Sequence, residues 1–111
     1  MVSGVFSGAA LAADMVKWCK RHTRGNITTV IAGPQTMVKA TFTLDAAAQP
    51  PVIDYISLLK GSAGKSQAGI YDLRDGMLRV CMAAAGKPRP ADFSSRTGDG
   101  RSLTTWRRAA D

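Results

Sequence analysis

Gln67-Ala68-Gly69-Ile70-Tyr71-Asp72-Leu73, then Arg74-Asp75-Gly76, then Met77-Leu78-Arg79-Val80-Cys81-Met82-Ala83 is the stretch that decides the fold. Two β-rich runs flank an Asp-Gly pair. Both residues of that pair tolerate positive φ, which a tight hairpin turn demands. Leu78, Val80 and Met82 then share one face, because side chains alternate along a strand. The same grammar recurs in both directions. In Thr36–Leu44, Val38, Ala40, Phe42 and Leu44 point one way, toward a core, and Met37, Lys39, Thr41 and Thr43 point toward water. Asn26–Ala32 joins it as a hairpin across Gly33-Pro34-Gln35. Val52–Leu58 follows Pro50-Pro51, Ser102–Arg107 is the last run, and Val2–Phe6 is the first. Ala9–His22 carries two patterns. Leu11, Met15, Trp18, Cys19 and His22 fall at helical spacing, while Val16, Trp18, Lys20 and His22 alternate. The reading is a short helix over 9–15, then a strand over 16–22. The sum is an all-β chain: a small eight-stranded antiparallel up-and-down barrel, closed or partly open, with one short N-terminal helix.

Size and composition bound the rest. A chain of 111 residues is one domain, read here as 1–111. A barrel of eight strand–helix units needs about 250 residues and is excluded. Hydrophobic residues make up 45% of the chain, too many for a disordered one. No run approaches the ~20 apolar residues of a membrane helix. The first residues show no signal peptide, so a cytoplasmic location is the default expectation. Fifteen Lys and Arg against eight acidic residues leave a net charge of +7. Lys17, Lys20, Arg21 and Arg24 form the one dense basic cluster, with His22 inside it. Such a face suits an acidic protein or a nucleic acid. Aromatic residues are only 6% of the chain, which argues against base stacking and hence against nucleic acid.

The usual catalytic and cofactor signatures fail in turn. Gly61-Ser62-Ala63-Gly64-Lys65-Ser66 ends like a phosphate-binding loop, but Leu59 stands where the motif needs its first glycine. A strand, not a helix, follows. With one histidine and two cysteines 62 positions apart, no metal site is expected. Cys19 and Cys81 read as reduced thiols. Cys19 and His22 would face opposite sides of a strand, and no orienting third group is evident. Asp45, Asp75 and Asp99 stand in turn contexts. The expectation is therefore no enzyme, no catalytic residues and no cofactor. Asp54 is odd, because Val52-Ile53-Asp54-Tyr55-Ile56 is otherwise apolar, and such a carboxylate must find partners or stay at a rim. Arg89 is odd too, stiffened between Pro88 and Pro90. The two oddities together suggest an Asp54–Arg89 structural ion pair.

Gly69-Ile70-Tyr71-Asp72-Leu73, Asp75-Gly76, Leu78-Arg79-Val80-Cys81, Gly86, Arg89-Pro90, Phe93-Ser94-Ser95 and Leu103 to Arg107 run in an order that resembles an uncharacterised lipocalin-like bacterial domain family common in planctomycetes. Phe42-Thr43-Leu44-Asp45 and Pro51-Val52-Ile53-Asp54 are similar to it as well. The family's opening Gly-x-Trp strand is not matched by Met1-Val2-Ser3-Gly4. The resemblance implies a small antiparallel barrel and carries no assigned functional residues.

An eight-stranded barrel is filled by side chains or holds one small ligand. The expected interior is Ile27, Val38, Ala40, Phe42, Ile56, Tyr71, Leu78, Val80 and Met82. Of these, Phe42, Ile56, Tyr71, Val80 and Met82 are the candidate ligand-contacting residues. The expected function is non-enzymatic binding of a small apolar or amphipathic ligand inside the barrel. The alternative is an interaction module that uses the basic face from Lys17 to Arg24.

Overall fold

The computed structural model describes residues 1–107. These form one antiparallel sheet with one short helix. The strands are β1 (Ser3–Phe6), β2 (Ala9–Ala10), β3 (Cys19–Arg24), β4 (Ile27–Ala32), β5 (Gln35–Asp45), β6 (Val52–Ser57), β7 (Ser66–Arg74), β8 (Met77–Met82) and β9 (Ser102–Arg107); α1 is Ala13–Trp18. Their order across the sheet is β2-β1-β9-β8-β7-β6-β5-β4-β3. Each neighbour from β3 to β9 is thus also the neighbour in sequence, as an up-and-down meander requires. The sheet curls into a half-barrel. Its end strands, β2 and β3, do not pair, although the Met1 nitrogen donates to the Cys19 carbonyl across the seam at 2.9 Å.

The turns fix the register. Asp75 and Gly76 both adopt positive φ between the paired residues Arg74 and Met77. Ser7 and Gly8 do the same between Phe6 and Ala9, so a two-residue hairpin stands where the expected helix was to begin. That corrects two expectations. Among the described residues the strands number nine, not eight, and the helix covers 13–18 rather than 9–15, with the following strand starting at Cys19 instead of residue 16. The tight turn at Ser7-Gly8 reverses the chain too early for a helix from residue 9.

Two apolar clusters line the inside. Ala40, Ile53, Tyr55, Val80 and Met82 form one; Cys19, Val30, Ala32 and Trp106 form the other. Val38 and Leu78 touch both. Gly69 lets the Met82 side chain cross the inner wall. A Cβ at Gly69 would stand 2.2 Å from Met82 Sδ and 2.8 Å from the Cys81 carbonyl oxygen.

Two residues expected inside are not. Ile56 is half exposed on the outer face, because Ile53 and Tyr55 take the inward positions of β6. Ile27 pairs with Thr41 on the outer face, while Thr28 and Ala40 turn inward beside them. In both strands either parity offers apolar residues, so alternation alone does not pick the buried side.

The connection from β8 to β9, residues 83–101, is the longest in the chain and straps across the outside of β6, β7 and β8. Arg89 pins it. Its Nη2 donates to Asp54 Oδ1 at 2.7 Å and its Nη1 to the Gly69 carbonyl at 2.8 Å. The expected Asp54–Arg89 pair is therefore formed, on the outer face that Asp54 shares with Val52 and Ile56. Phe93 lies under the Arg79 guanidinium, 3.8 Å from the ring centre, and Arg79 also pairs with Asp72. Pro90, Ile70 and Cys81 are fully buried on this outer side. The Cys81 thiol donates to the Ser94 carbonyl. Asp99 closes the strap's last turn by accepting from the backbone N–H groups of Arg96 and Arg101.

Candidate functional site

The concave face holds an open-mouthed cavity of about 490 Å³, with a second of about 240 Å³ beyond it. The larger one falls within the roughly 300–1,000 Å³ typical of small-molecule sites. Its wall is mainly apolar, with Leu11, Val30, Val38, Val80, Met82 and Trp106 among the lining. Its mouth is where Phe6, Met15 and Met37 line it while remaining exposed to solvent. Met37 reaches that rim because the β4–β5 register slips by one residue there: Val30 faces Val38 but Ile31 faces Thr36. Such a bulge re-aims a side chain. Of the residues expected to contact ligand, Val80 and Met82 line the larger cavity, and Phe42, Tyr71 and Val80 line the smaller. Ile56 lines neither, being outside.

One polar residue stands at the waist between the cavities and lines both: Arg21. Strand alternation puts Cys19, Arg21 and Thr23 on the inner side of β3 and Lys20, His22 and Arg24 on the outer side. The dense basic cluster is thus divided. Lys17, Lys20 and Arg24 are exposed, but Arg21 turns inward and leaves that face. Cys19 and His22 fall on opposite faces.

The Arg21 geometry is tightly set. Nη1 donates to Thr28 Oγ1 and to the Tyr55 hydroxyl oxygen, both at 2.9 Å. The guanidinium carbon lies 4.6 Å from the Trp106 ring centre, within cation–π range. The Trp106 indole N–H is itself held by Thr104 Oγ1. Nε is buried and has no acceptor among the described residues. An unmet buried donor costs about 1–3 kcal/mol, more for a charged group. The ion pairs among the described residues are Arg79–Asp72, Arg89–Asp54 and Arg101–Asp92; Arg21 has none there. No Asp lines either cavity.

Sequence reading missed Arg21 because the basic cluster overshadowed it. The signal was present: Cys19-x-Arg21-x-Thr23 continues the inward parity that ends in a buried cysteine. Neither cysteine is bonded. Burial pushes the Cys81 thiol above the ordinary cysteine range, so it stays protonated under the strap. Among the described residues no helix is long and apolar enough to cross a membrane. No family model, curated protein or solved structure matches the chain.

Proposed function

We propose that this chain is a lipocalin-like binding domain that holds one small apolar or amphipathic ligand in the hollow of its curled sheet, without catalysis. The observation that carries the reading is the 490 Å³ cavity. A solidly packed interior would have removed it, since protein cores leave few voids larger than a water molecule. The exposed apolar rim of Phe6, Met15 and Met37 supports it further, because it offers a greasy entry path.

The test is direct. Protein purified from its own host is examined by native mass spectrometry for a co-purified small molecule, and the stripped protein is titrated with a neutral apolar fluorophore such as N-phenyl-1-naphthylamine. Saturable one-to-one uptake, lost when Ser102→Trp fills the cavity of a protein that remains folded, is the expected result. A folded protein that takes up no probe and carries no ligand would refute the proposal.

A further inference from the structure

We infer that the ligand is a monoanionic amphiphile, a carboxylate on an aliphatic tail, with its head at Arg21 and its tail along the apolar wall. The inference rests on the cavity reading above and adds the chemistry of the occupant.

Charge is the first ground. Arg21 is the one charged side chain lining either cavity among the described residues. A cation in apolar surroundings is costly unless an anion answers it. Elsewhere the chain gives Arg79, Arg89 and Arg101 their own carboxylates. At Arg21 the described residues supply only hydroxyl groups, which hold the guanidinium without neutralising it.

Donor geometry is the second. Thr28 and Tyr55 take both hydrogens of Nη1, and Trp106 fixes the plane of the group. What remains is the Nε–Nη2 edge, where two N–H bonds run parallel. Neither has an acceptor among the described residues. Nε is covered, so a ligand oxygen meets Nη2 first and reaches Nε only as the head seats. Two parallel N–H groups match the two oxygens of a carboxylate. The Tyr55 hydroxyl oxygen accepts from Arg21, which leaves the hydroxyl hydrogen for a further acceptor.

Charge balance then selects among anions. One guanidinium neutralises one carboxylate, and the terminal ammonium of Met1, which lines the same cavity, is turned to the Cys19 carbonyl at the seam. A phosphate monoester carries up to two charges near neutral pH and would leave an excess buried against Val30, Val38 and Met82.

The proposal is tested on the intact chain with decanoate, decan-1-ol and decyl phosphate, using calorimetry and tryptophan fluorescence at neutral pH. Decanoate is expected to bind one-to-one about tenfold or more tightly than decan-1-ol, the factor that about 1.4 kcal/mol commands. Arg21→Gln should erase that difference by weakening decanoate far more than decan-1-ol. Tyr55→Phe should weaken decanoate alone. Should Arg21→Gln fail to fold, the comparison of probes on the unaltered protein still decides. Equal affinity for acid and alcohol would overturn the carboxylate head and spare the cavity. Tighter binding of decyl phosphate would overturn the choice of anion. Binding of none of the three would bring down both readings.

Discussion

At Asp54 and Arg89 two residues that looked misplaced in the sequence turn out to explain one another. The carboxylate stands on the outer face of β6, and the guanidinium reaches it from the strap while also holding the Gly69 carbonyl. Both side chains remain partly solvated, so the ion pair itself contributes little, of the order of 0.2–1 kcal/mol. A double-mutant cycle of Asp54→Ala and Arg89→Ala, followed by urea unfolding, should show coupling of that size. Arg89→Ala alone should cost more, about 1–2 kcal/mol, because the backbone carbonyl loses its donor too. That pair was legible because each residue broke a local pattern. Arg21 broke none: among Lys17, Lys20 and Arg24 a fourth cation reads as surface, and only the pleat turns it inward. Gly69 was equally silent. Gly69→Ala should destabilise by more than about 1 kcal/mol in the same assay, because the new methyl meets the Cys81 carbonyl as well as the Met82 sulfur.

Among the elements, the hairpins were the most legible, since Asp75-Gly76 and Gly33-Pro34 state their turns in the sequence. Ser7-Gly8 states one equally well, but the alanine-rich run after it suggested a helix. The turn won because two positive-φ residues commit the chain to reversal before any helical hydrogen bond can form. The strap was not legible, because a Pro- and Gly-rich connection does not announce what it covers. Its effect is to give β7 and β8 two buried faces. Ile70, only 1% exposed, belongs to that outer core, whereas Ile56, on the same side of the sheet but uncovered, is 50% exposed. Ile70→Ala should therefore cost about 2–5 kcal/mol in thermal or urea unfolding, and Ile56→Ala should stay within about 0.5 kcal/mol of the parent. Cys81 lies under the same cover, and a thiol reagent should modify it at the rate of unfolding rather than directly. Because burial raises its folded pKa, the folded state favours the thiol. That contribution is whole below the ordinary value of about 8.5 and is lost as the pH climbs through the folded value. The strap's far end responds to acid. Desolvation opposes ionisation of Asp99, but the Arg96 and Arg101 N–H donors and the charges of those two arginines outweigh it and hold the carboxyl below its ordinary value. Its contribution is present above about 3.9 and disappears as the pH falls through the folded value. Hydrogen exchange at the Arg96 and Arg101 amides, followed during acidification and corrected for intrinsic rates, should report the turn loosening there first.

For the whole molecule, the all-β class and the meander order follow from short alternating runs spaced by turns. What the sequence left open is whether the sheet closes. Closure depends on how far the end strands β2 and β3 approach, and with α1 between them in the chain no pattern of apolar residues fixes that distance. The outcome is a seam whose one flank is β3, a strand with β4 on one side and, among the described residues, no strand on the other. A free flank of this kind is a template on which another chain could lay a strand. Here its exposed side chains include Lys20 and Arg24, and the molecule carries +7 in all. Two copies meeting seam to seam would press like charges together, a repulsion that dissolved ions weaken once the screening length falls to a few ångströms, about 3 Å at 1 M. Light scattering should thus find single particles in dilute buffer and growing association as sodium chloride is raised, so that the cations along an unfinished wall double as the guard that keeps it from being finished by a neighbour.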